Sequence, residues 1–451
     1  MRIVIVGNGV AGIEAALAVR EEQPDWDITI VSEESDHFFS RTALMWVASG
    51  QLSHHDIEPH ERDLYARAKL RRVRARAVGV DVAGRRLLLS GEPDALPYDR
   101  LLIACGSRPR PAPWPGSQLT GVGHFVTLQD LAWLERELDL PEGAAPPPRA
   151  DAHLRATTDD SPYRPRPVAA EARGHGARRP AVIGGGLIGI EAVEVMLAAG
   201  LSPRFFIREE WFWPMAIDAR ESAFITARMA EHGVEVLLEH EVQELRGEDA
   251  VQRVVTDRGE YEADVVVVAI GVIPNTDWLQ GSDIALHERG GVLVDERLSS
   301  GAPDVFAAGD CAVVPWADGS RRPEQLWYTA RDQGRVAGRR LLGDDARYLR
   351  ERVYNSAKLM DVEYTTAGRM DVDGAQELFH EERGPVRSTT RIATVDDRVV
   401  GFNLLGRRWE HDVLCRFIDE RRELSWVLEH LHEASFDTEF VPPLSIPKSA
   451  R

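Results

Sequence analysis

Arg2-Ile3-Val4-Ile5-Val6-Gly7-Asn8-Gly9-Val10-Ala11-Gly12 opens the chain, and Ala181-Val182-Ile183-Gly184-Gly185-Gly186-Leu187-Ile188-Gly189 repeats its form further on. Each stretch has an apolar, β-branched strand, then three glycines, then a helix-forming run, Ile13 to Arg20 in the first and Ile190 to Ala199 in the second. A second strand follows each helix, at Asp27 to Val31 and at Arg204 to Ile207. These are two βαβ units of the dinucleotide-binding kind. In such a unit the first glycine permits the tight turn, the second lets the backbone approach a pyrophosphate, and the third lets helix pack on strand. The helix start then attracts the diphosphate. A single such triplet is a weak sign; two in complete βαβ units predict two nucleotide sites.

An acid about 20 residues beyond the glycines binds a ribose hydroxyl in these units. Glu33 and Glu34 hold that place in the first. In the second, the corresponding stretch is Ile207-Arg208-Glu209-Glu210. An acid there favours NADH and an arginine favours the 2′-phosphate of NADPH. A shift of one residue decides between Arg208 and Glu209, so the sequence leaves the coenzyme open.

Outward from the two units, strands are expected at Arg100 to Ala104, Asp264 to Ile270 and Val305 to Ala308. Residues 141–179 carry Pro146, Pro147, Pro148, Pro162, Pro165 and Pro167 without apolar periodicity, and are expected to form an exposed, disordered insert. Beyond Gly343 the texture becomes mixed, with strand-like runs at Thr390 to Val395 and Val399 to Leu405 and a helix from about Asp412. The fold class is therefore α/β: two Rossmann-like domains and a C-terminal α+β interface domain. The expected boundaries are 1–140 with 290–342, then 180–289, then 343–451. A chain of 451 residues suits three domains at roughly 150 residues each.

With 54 Lys and Arg against 73 Asp and Glu, the net charge is −19, which argues against a nucleic-acid binder. Its composition, 43% hydrophobic and 28% charged, is that of a globular enzyme. No apolar run reaches the ~20 residues of a membrane span. The chain opens directly on a strand, so a cytoplasmic protein without signal peptide is expected. Cys105, Cys311 and Cys415 contain no CxxC, which excludes a disulfide framework and disfavours zinc.

Three further segments narrow the reading: Tyr98 to Pro109, a strand ending in Ala104-Cys105-Gly106; Ala263 to Asn275, which repeats that form around Gly271; and Asp304-Val305-Phe306-Ala307-Ala308-Gly309-Asp310-Cys311, a strand ending at an aspartate. Together with the glycine triplets they resemble the FAD/NAD(P)H oxidoreductases with two dinucleotide domains, the pyridine nucleotide–disulfide oxidoreductase superfamily. The resemblance covers residues 1–140 and 180–340 well, and the C-terminal domain in position. It implies FAD held by Gly7, Gly9, Ala11 and Gly12, with Glu33 on the adenosine ribose and the Val78 backbone near the adenine. Asp310, following Gly309, is implied on the ribityl chain, with Ala104 and Gly106 lining the cofactor. Trp327, Tyr328 and Thr329 open a helix whose amides are implied at the flavin pyrimidine edge. NADH or NADPH is implied on Gly184, Gly186, Leu187, Ile188 and Gly189, with Arg208 or Glu209 at its ribose and Gly271 near the nicotinamide arm.

The disulfide-reducing branch of that family places a cysteine shortly after the first unit's second strand. Here His37-Phe38-Phe39-Ser40-Arg41-Thr42-Ala43-Leu44-Met45-Trp46 has none. The stretch resembles instead the ferredoxin-reductase, nitrite-reductase flavin-module and NADH-oxidase-like members. The lysine of the ferredoxin-reductase type, two residues after the place of Leu44 and implied to pair near the flavin with a glutamate of the second unit, is replaced by Trp46; Glu191 matches the glutamate, and Arg41 is the candidate substitute. Trp46 is read equally as core packing or as a flavin neighbour. None of the three cysteines has the place of a redox thiol.

The remaining constellations are weaker. His54, His55, Asp56, Glu58 and His60 lie in a polar loop without a completing metal set, and His411 with Cys415 gives only two ligands. Arg71, Arg72, Arg74 and Arg76 are read as a solvated edge strand in preference to a docking face. Asn355, Lys358, Asp361, Glu363 and Tyr364 are read as exposed strand-edge polarity in preference to a substrate-side cluster. The expected function is an FAD-dependent NAD(P)H oxidoreductase delivering electrons to an unidentified acceptor other than a disulfide: a redox protein or a small oxidant, oxygen included. The alternative is a flavin-holding, redox-regulated scaffold. The position of the C-terminal domain implies a homodimer.

Overall fold

The computed structural model describes residues 1–91, 95–140, 178–316, 319–350, 353–383, 386–436, 444 and 446. The expected insert, apart from Arg178 and Arg179 on its far flank, lies outside the described residues. The chain divides into two compact units. One takes the described residues of Met1–Pro111, His124–Pro146 and Gly271–Arg350; the other takes those of Ala112–Gly123, Pro147–Ile270 and Glu351–Arg451.

The first unit is built on a five-stranded parallel sheet in the order Val305–Ala307, Arg100–Ile103, Arg2–Val6, Asp27–Ser32, Leu70–Arg74. Arg2–Val6 lies at its centre because Ile3, Val4 and Ile5 are apolar on both faces, as a strand covered on both sides must be. The helix Val10–Glu22 returns over the sheet and packs against Trp327–Leu342. Their approach is backbone to backbone: a Cβ at Gly334 would lie 2.6 Å from the Ala11 carbonyl oxygen, and one at Gly338 would lie 2.7 Å from the Ala18 Cβ. An antiparallel sheet of Ala77–Asp81, Arg86–Leu89 and Leu96–Pro97 adjoins this core.

A second parallel sheet organises the other unit, in the order Glu235–Leu237, Arg204–Phe206, Pro180–Ile183, Val265–Val268, Val122–Gly123. Val265–Val268 is four buried valines, and the helix Leu187–Ala198 packs on Pro180–Ile183. After residue 353 the same unit continues as a five-stranded antiparallel sheet, Tyr354–Leu359, Val362–Gly368, Arg398–Leu405, Arg387–Val395, Gln376–Arg383, with helices His411–Asp419 and Leu424–His430. Phe402, Leu404, Leu414, Phe417 and Val427 form its core, and Cys415 is buried among them.

The helices begin earlier than the sequence suggests, at Val10 and Leu187, because each starts directly on its middle glycine. Among the described residues no helix is long and apolar enough to cross a membrane.

Candidate dinucleotide sites

The two glycine turns share one geometry. Gly7 has φ +117° and Gly184 φ +119°, values that favour glycine. A Cβ would lie 2.0 Å from the Ala104 carbonyl oxygen at Gly7 and 2.3 Å from that of Ala269 at Gly184. At Gly12 and Gly189 a Cβ would lie 2.1 Å from the carbonyl oxygen of Gly7 and of Gly184 respectively. The outer glycines of each triplet are thus set by the protein's own backbone. The middle ones are not: at Gly9 and Gly186 a Cβ meets nothing within 4 Å. Both are N-caps, of Val10–Glu22 and Leu187–Ala198, with no side-chain cap and no acid in the first turn. Each turn thus presents an open, uncapped helix start to a diphosphate. Leu187 and Ile188 form the first turn of the second helix.

Around the first turn the structure gathers residues far apart in sequence. Ser107 donates to the Asp310 carboxylate at 2.7 Å. Burial raises the Asp310 carboxyl above the ordinary carboxylate range, while the Ser107 hydrogen bond and the Arg41 charge oppose that rise. The Gly309 amide donates to Gln333 Oε1 at 2.8 Å, and a Gly309 Cβ would lie 3.1 Å from that of Ala11. Arg41 is held by Glu34, whose oxygens accept at 3.0 and 2.6 Å, and by the Val126 carbonyl at 2.6 Å. Glu34 also accepts from the Leu128 amide at 3.0 Å, so Glu34 is engaged inside the protein whereas Glu33 points outward, 3.9 Å from Arg76.

Val78 is exposed on Ala77–Asp81, where the ladder passes from Ala77 opposite Leu89 to Gly79 opposite Leu88 and skips it. Gly106, φ +67°, and Gly271, φ +98°, have open space where a Cβ would stand. Trp327 opens the helix Trp327–Leu342, again without side-chain cap or acid in the first turn, and its ring lies 5.4 Å from the Arg331 guanidinium carbon. Trp46 is the half-buried member of the short helix Leu44–Ala48, whose other four residues are buried.

Equivalent hydrogen bonds at the strand ends relate the two turns to one another. The Gly7 amide donates to the Val31 carbonyl at 2.8 Å and the Gly184 amide to the Phe206 carbonyl at 2.9 Å. Counting two residues on from those carbonyls reaches Glu33 in the first unit and Arg208 in the second. Ile207 is fully buried, whereas the Arg208 side chain is 68% exposed and pairs with Glu209 at 2.8 Å.

One expectation is overturned by the second unit. Lys358 and Asp361 are not exposed strand-edge charge. The Lys358 ammonium lies 2.6 Å from Glu194, with side chains 15% and 2% exposed, and Glu194 also accepts from the Met360 amide at 2.8 Å. Asp361 is bound by Arg228, and Tyr364 is buried beside Trp213, ring centroids 5.1 Å apart. The reason is the helix Leu187–Ala198: Glu194 faces inward there and draws a cation from the neighbouring strand Tyr354–Leu359. Glu191, one turn earlier, is pushed up to about 8 by burial and by the Glu194 charge, against the pull of Lys358. Burial pushes Glu194 up to about 7, again against Lys358.

A family model described as pyridine nucleotide-disulphide oxidoreductase matches residues 1–334. The chain belongs to that family. It is 24% identical over 433 residues to an NADH oxidase of Methanocaldococcus jannaschii, covering 90% of this chain and 88% of the relative. It is 29% identical over 343 residues to the ferredoxin reductase component of a Cupriavidus chlorobenzene dioxygenase, covering 76% and 74%. Among solved structures, a ferredoxin reductase from Rhodopseudomonas palustris superposes with a TM-score of 0.77 at 21% identity, over 97% and 98% of the two chains.

His54 lies 3.7 Å from Glu135, and His55 lies 3.5 Å from a Glu58 that also binds Arg62, so these groups pair with one another. His411 stacks on Tyr354 with ring centroids 4.8 Å apart. Arg72 and Arg74 donate to the carbonyls of Asp36, Glu33 and Glu34, tying the edge strand to the segment beyond Ser32. Cys105 Sγ donates to the Asn275 carbonyl at 3.2 Å, and the buried Cys311 Sγ donates to the carbonyls of Ile103 and Ala308 at 3.4 Å. Gln333, which holds the Gly309 amide, carries no motif of its own, while Ser107 lies within the Tyr98 to Pro109 segment and Glu34 beside Glu33.

Proposed function

We propose that the chain is an FAD-dependent NAD(P)H oxidoreductase that delivers electrons to an acceptor other than a disulfide: a redox protein or a small oxidant, oxygen included. The observation that carries this is the pair of matched turns, each with an open middle glycine and an uncapped helix start. Bound FAD supplies two-electron chemistry that links a hydride donor to one- or two-electron acceptors. The chain's own residues supply placement and charge.

Gly7, Gly9, Ala11 and Gly12 would hold the flavin diphosphate, Glu33 the adenosine ribose, and the backbone at Val78, which the ladder register skips, the adenine edge. Asp310, kept in place by Ser107, accepts from the ribityl hydroxyls, and Gln333 fixes the Gly309 turn beside it. Ala104 and Gly106 line the same cleft. Arg41, clamped by Glu34 and Val126, sets a cation near Asp310. The uncapped helix start at Trp327 would offer its amide N–H groups to negative charge on a bound flavin. Gly184, Gly186, Leu187, Ile188 and Gly189 hold the coenzyme diphosphate, with Gly271 on the approach to the nicotinamide. Glu191, protonated near neutral pH, is available to hold a proton beside Glu194 and Lys358. The segment 37–46 lacks a thiol, which favours acceptors other than disulfides.

The coenzyme is NADPH in preference to NADH. Arg208 stands where the first unit has its ribose acid Glu33, and its exposed pairing with Glu209 is worth only about 0–1 kcal/mol, so a phosphate displaces it readily. The C-terminal segment acts as an interface domain of a homodimer.

The test is anaerobic stopped-flow mixing of the flavin-loaded protein with each coenzyme. Bleaching of the flavin by NADPH at least tenfold faster than by NADH is expected. If neither coenzyme bleaches it, the oxidoreductase reading is wrong; faster bleaching by NADH removes only the NADPH preference.

A further inference from the structure

Asn8 stands between Gly7 and Gly9 in the first turn, and Gly185 holds the same place in the second. At Gly185 a Cβ would lie 2.8 Å from Ile207 Cγ2, so the second turn has no room for a side chain there. The first turn has room, and Asn8 is 9% exposed. Asn8 Oδ1 accepts from the Tyr65 hydroxyl at 2.9 Å, and the Tyr65 oxygen accepts from the Phe38 amide at 2.7 Å. The second bond fixes the sense of the first. A backbone amide only donates, so the phenol's one hydrogen is left for Asn8, which meets it with oxygen. The carboxamide oxygen is thereby engaged and its two N–H donors remain. Asn8 Nδ2 has no hydrogen-bond partner among the described residues, although buried N–H groups are normally paired. Tyr65 is itself braced. It is 3% exposed in the short helix Leu64–Arg67, with the Arg72 guanidinium carbon 4.7 Å from its ring centre and His37 edge-on at 5.9 Å. Burial raises the Tyr65 hydroxyl above an ordinary tyrosine, so it keeps the hydrogen it donates.

We propose that the Asn8 carboxamide is a further donor to the diphosphate of FAD, and that Tyr65 is the residue that positions it. This rests on the assignment of the first turn to FAD. The open space at Gly9, where a Cβ meets nothing within 4 Å, is where that diphosphate would come. The Asn8 Cα is about 3.8 Å from that of Gly9, which puts its carboxamide within reach of the same oxygens. A neutral N–H then meets an anion, and such charge-assisted bonds are about twice as strong as neutral ones. Tyr65 contributes by deciding which end of the carboxamide is left for the ligand. An asparagine free to flip presents its oxygen as readily as its nitrogen, and that oxygen repels a phosphate. Through Phe38 the same hydroxyl also ties the start of the segment 37–46 to the turn. The donor belongs to the first turn alone, because Gly185 has no side chain. It therefore adds to the affinity for FAD and not to that for the nicotinamide coenzyme.

The experiment follows FAD release from the flavin-loaded full chain on dilution, by the return of flavin fluorescence, at a temperature where thermal melts show each variant folded. Asn8→Asp keeps an acceptor for Tyr65 and exchanges the donor for a negative charge. Its dissociation constant for FAD is expected to rise at least tenfold, with the KM for NADPH unchanged at saturating FAD. Tyr65→Phe is expected to weaken FAD binding about threefold when Asn8 is present and not at all in an Asn8→Ala chain, since a residue acting through Asn8 has nothing to act on once it is gone. A tyrosine that only supports the fold would weaken FAD binding equally in both backgrounds. That result, or an unchanged affinity for FAD in Asn8→Asp, overturns the proposal and leaves the flavin assignment standing. Where Asn8→Asp does not fold, the cycle of Asn8→Ala and Tyr65→Phe decides alone: additive losses overturn the proposal and non-additive losses uphold it. An unaltered chain that binds no FAD overturns both the proposal and the flavin assignment.

Discussion

Single residues in the glycine turns separate folding from binding. Gly7 is held by its own backbone contact and positive φ, whereas Gly9 faces open space with φ −87°, a value alanine adopts freely. Gly7→Ala is therefore expected to destabilise the protein by about 1–3 kcal/mol of backbone strain, or more where the Ala104 contact cannot relax. Gly9→Ala is expected to leave the melting temperature of the flavin-free protein unchanged and to weaken FAD binding about tenfold, ~1.4 kcal/mol. Calorimetric unfolding and flavin titration of both variants check this; equal loss of stability in the two would contradict it. The same scale shows what a sequence conceals. The outer glycines of each triplet were legible because each answers to a local backbone demand. Arg208 was visible but not placed, since the Gly184–Phe206 hydrogen bond is what gives it the position in the second unit that Glu33 has in the first. In that position, Arg208→Glu is expected to lower kcat/KM for NADPH at least tenfold while sparing that for NADH. A proportional loss for both coenzymes would show that Arg208 only supports the fold.

At the scale of elements, the βαβ unit at the heart of each parallel sheet followed from apolar strands joined by glycine-started helices, whereas the strand order of the sheets was not read from the sequence. What could not be read were partners between distant elements. Glu194 on Leu187–Ala198 and Lys358 on Tyr354–Leu359 are 164 residues apart, and nothing in either stretch announces burial. Removing one member of a buried pair costs about 3–5 kcal/mol because it leaves the other uncompensated. Lys358→Met is expected to do so with a definite pH dependence. Glu194 titrates at about 7 in the folded protein, above an ordinary carboxylate. Folding therefore favours its protonated form, and that contribution, full at low pH, is lost as pH rises through 7. Without Lys358 the value moves higher still, so the loss continues to higher pH. Thermal melts at pH 6 and pH 9 are expected to show a larger deficit for the variant at pH 9. Glu194→Gln, neutral at both, is expected to remove most of that difference when added to Lys358→Met.

The whole molecule carries a net charge of −19, and this acts on the choice of acceptor independently of any motif. Its arginines do not gather as a free basic face along Leu70–Arg74: Arg72 and Arg74 are spent on the carbonyls beyond Ser32, and Arg76 lies by Glu33. The sequence reading of that run as an edge strand and the structure agree, since alternation along an edge puts the charges toward solvent and the loop beside it. An acidic carrier protein then approaches against the field of the reductase, and screening shortens that field from about 30 Å at 0.01 M salt to about 8 Å at 0.15 M. With NADPH saturating, transfer to an acidic ferredoxin-type carrier at sub-saturating concentration is expected to speed up several-fold across that range. Transfer to a neutral quinone or to oxygen is expected to stay constant, because an uncharged acceptor does not feel the long-range field. Slowing of the carrier reaction with salt would instead demonstrate a local basic docking face strong enough to outweigh the total charge. The comparison needs both acceptors in the same salt series, so that an effect of salt on flavin reduction, common to both, is separated from its effect on encounter.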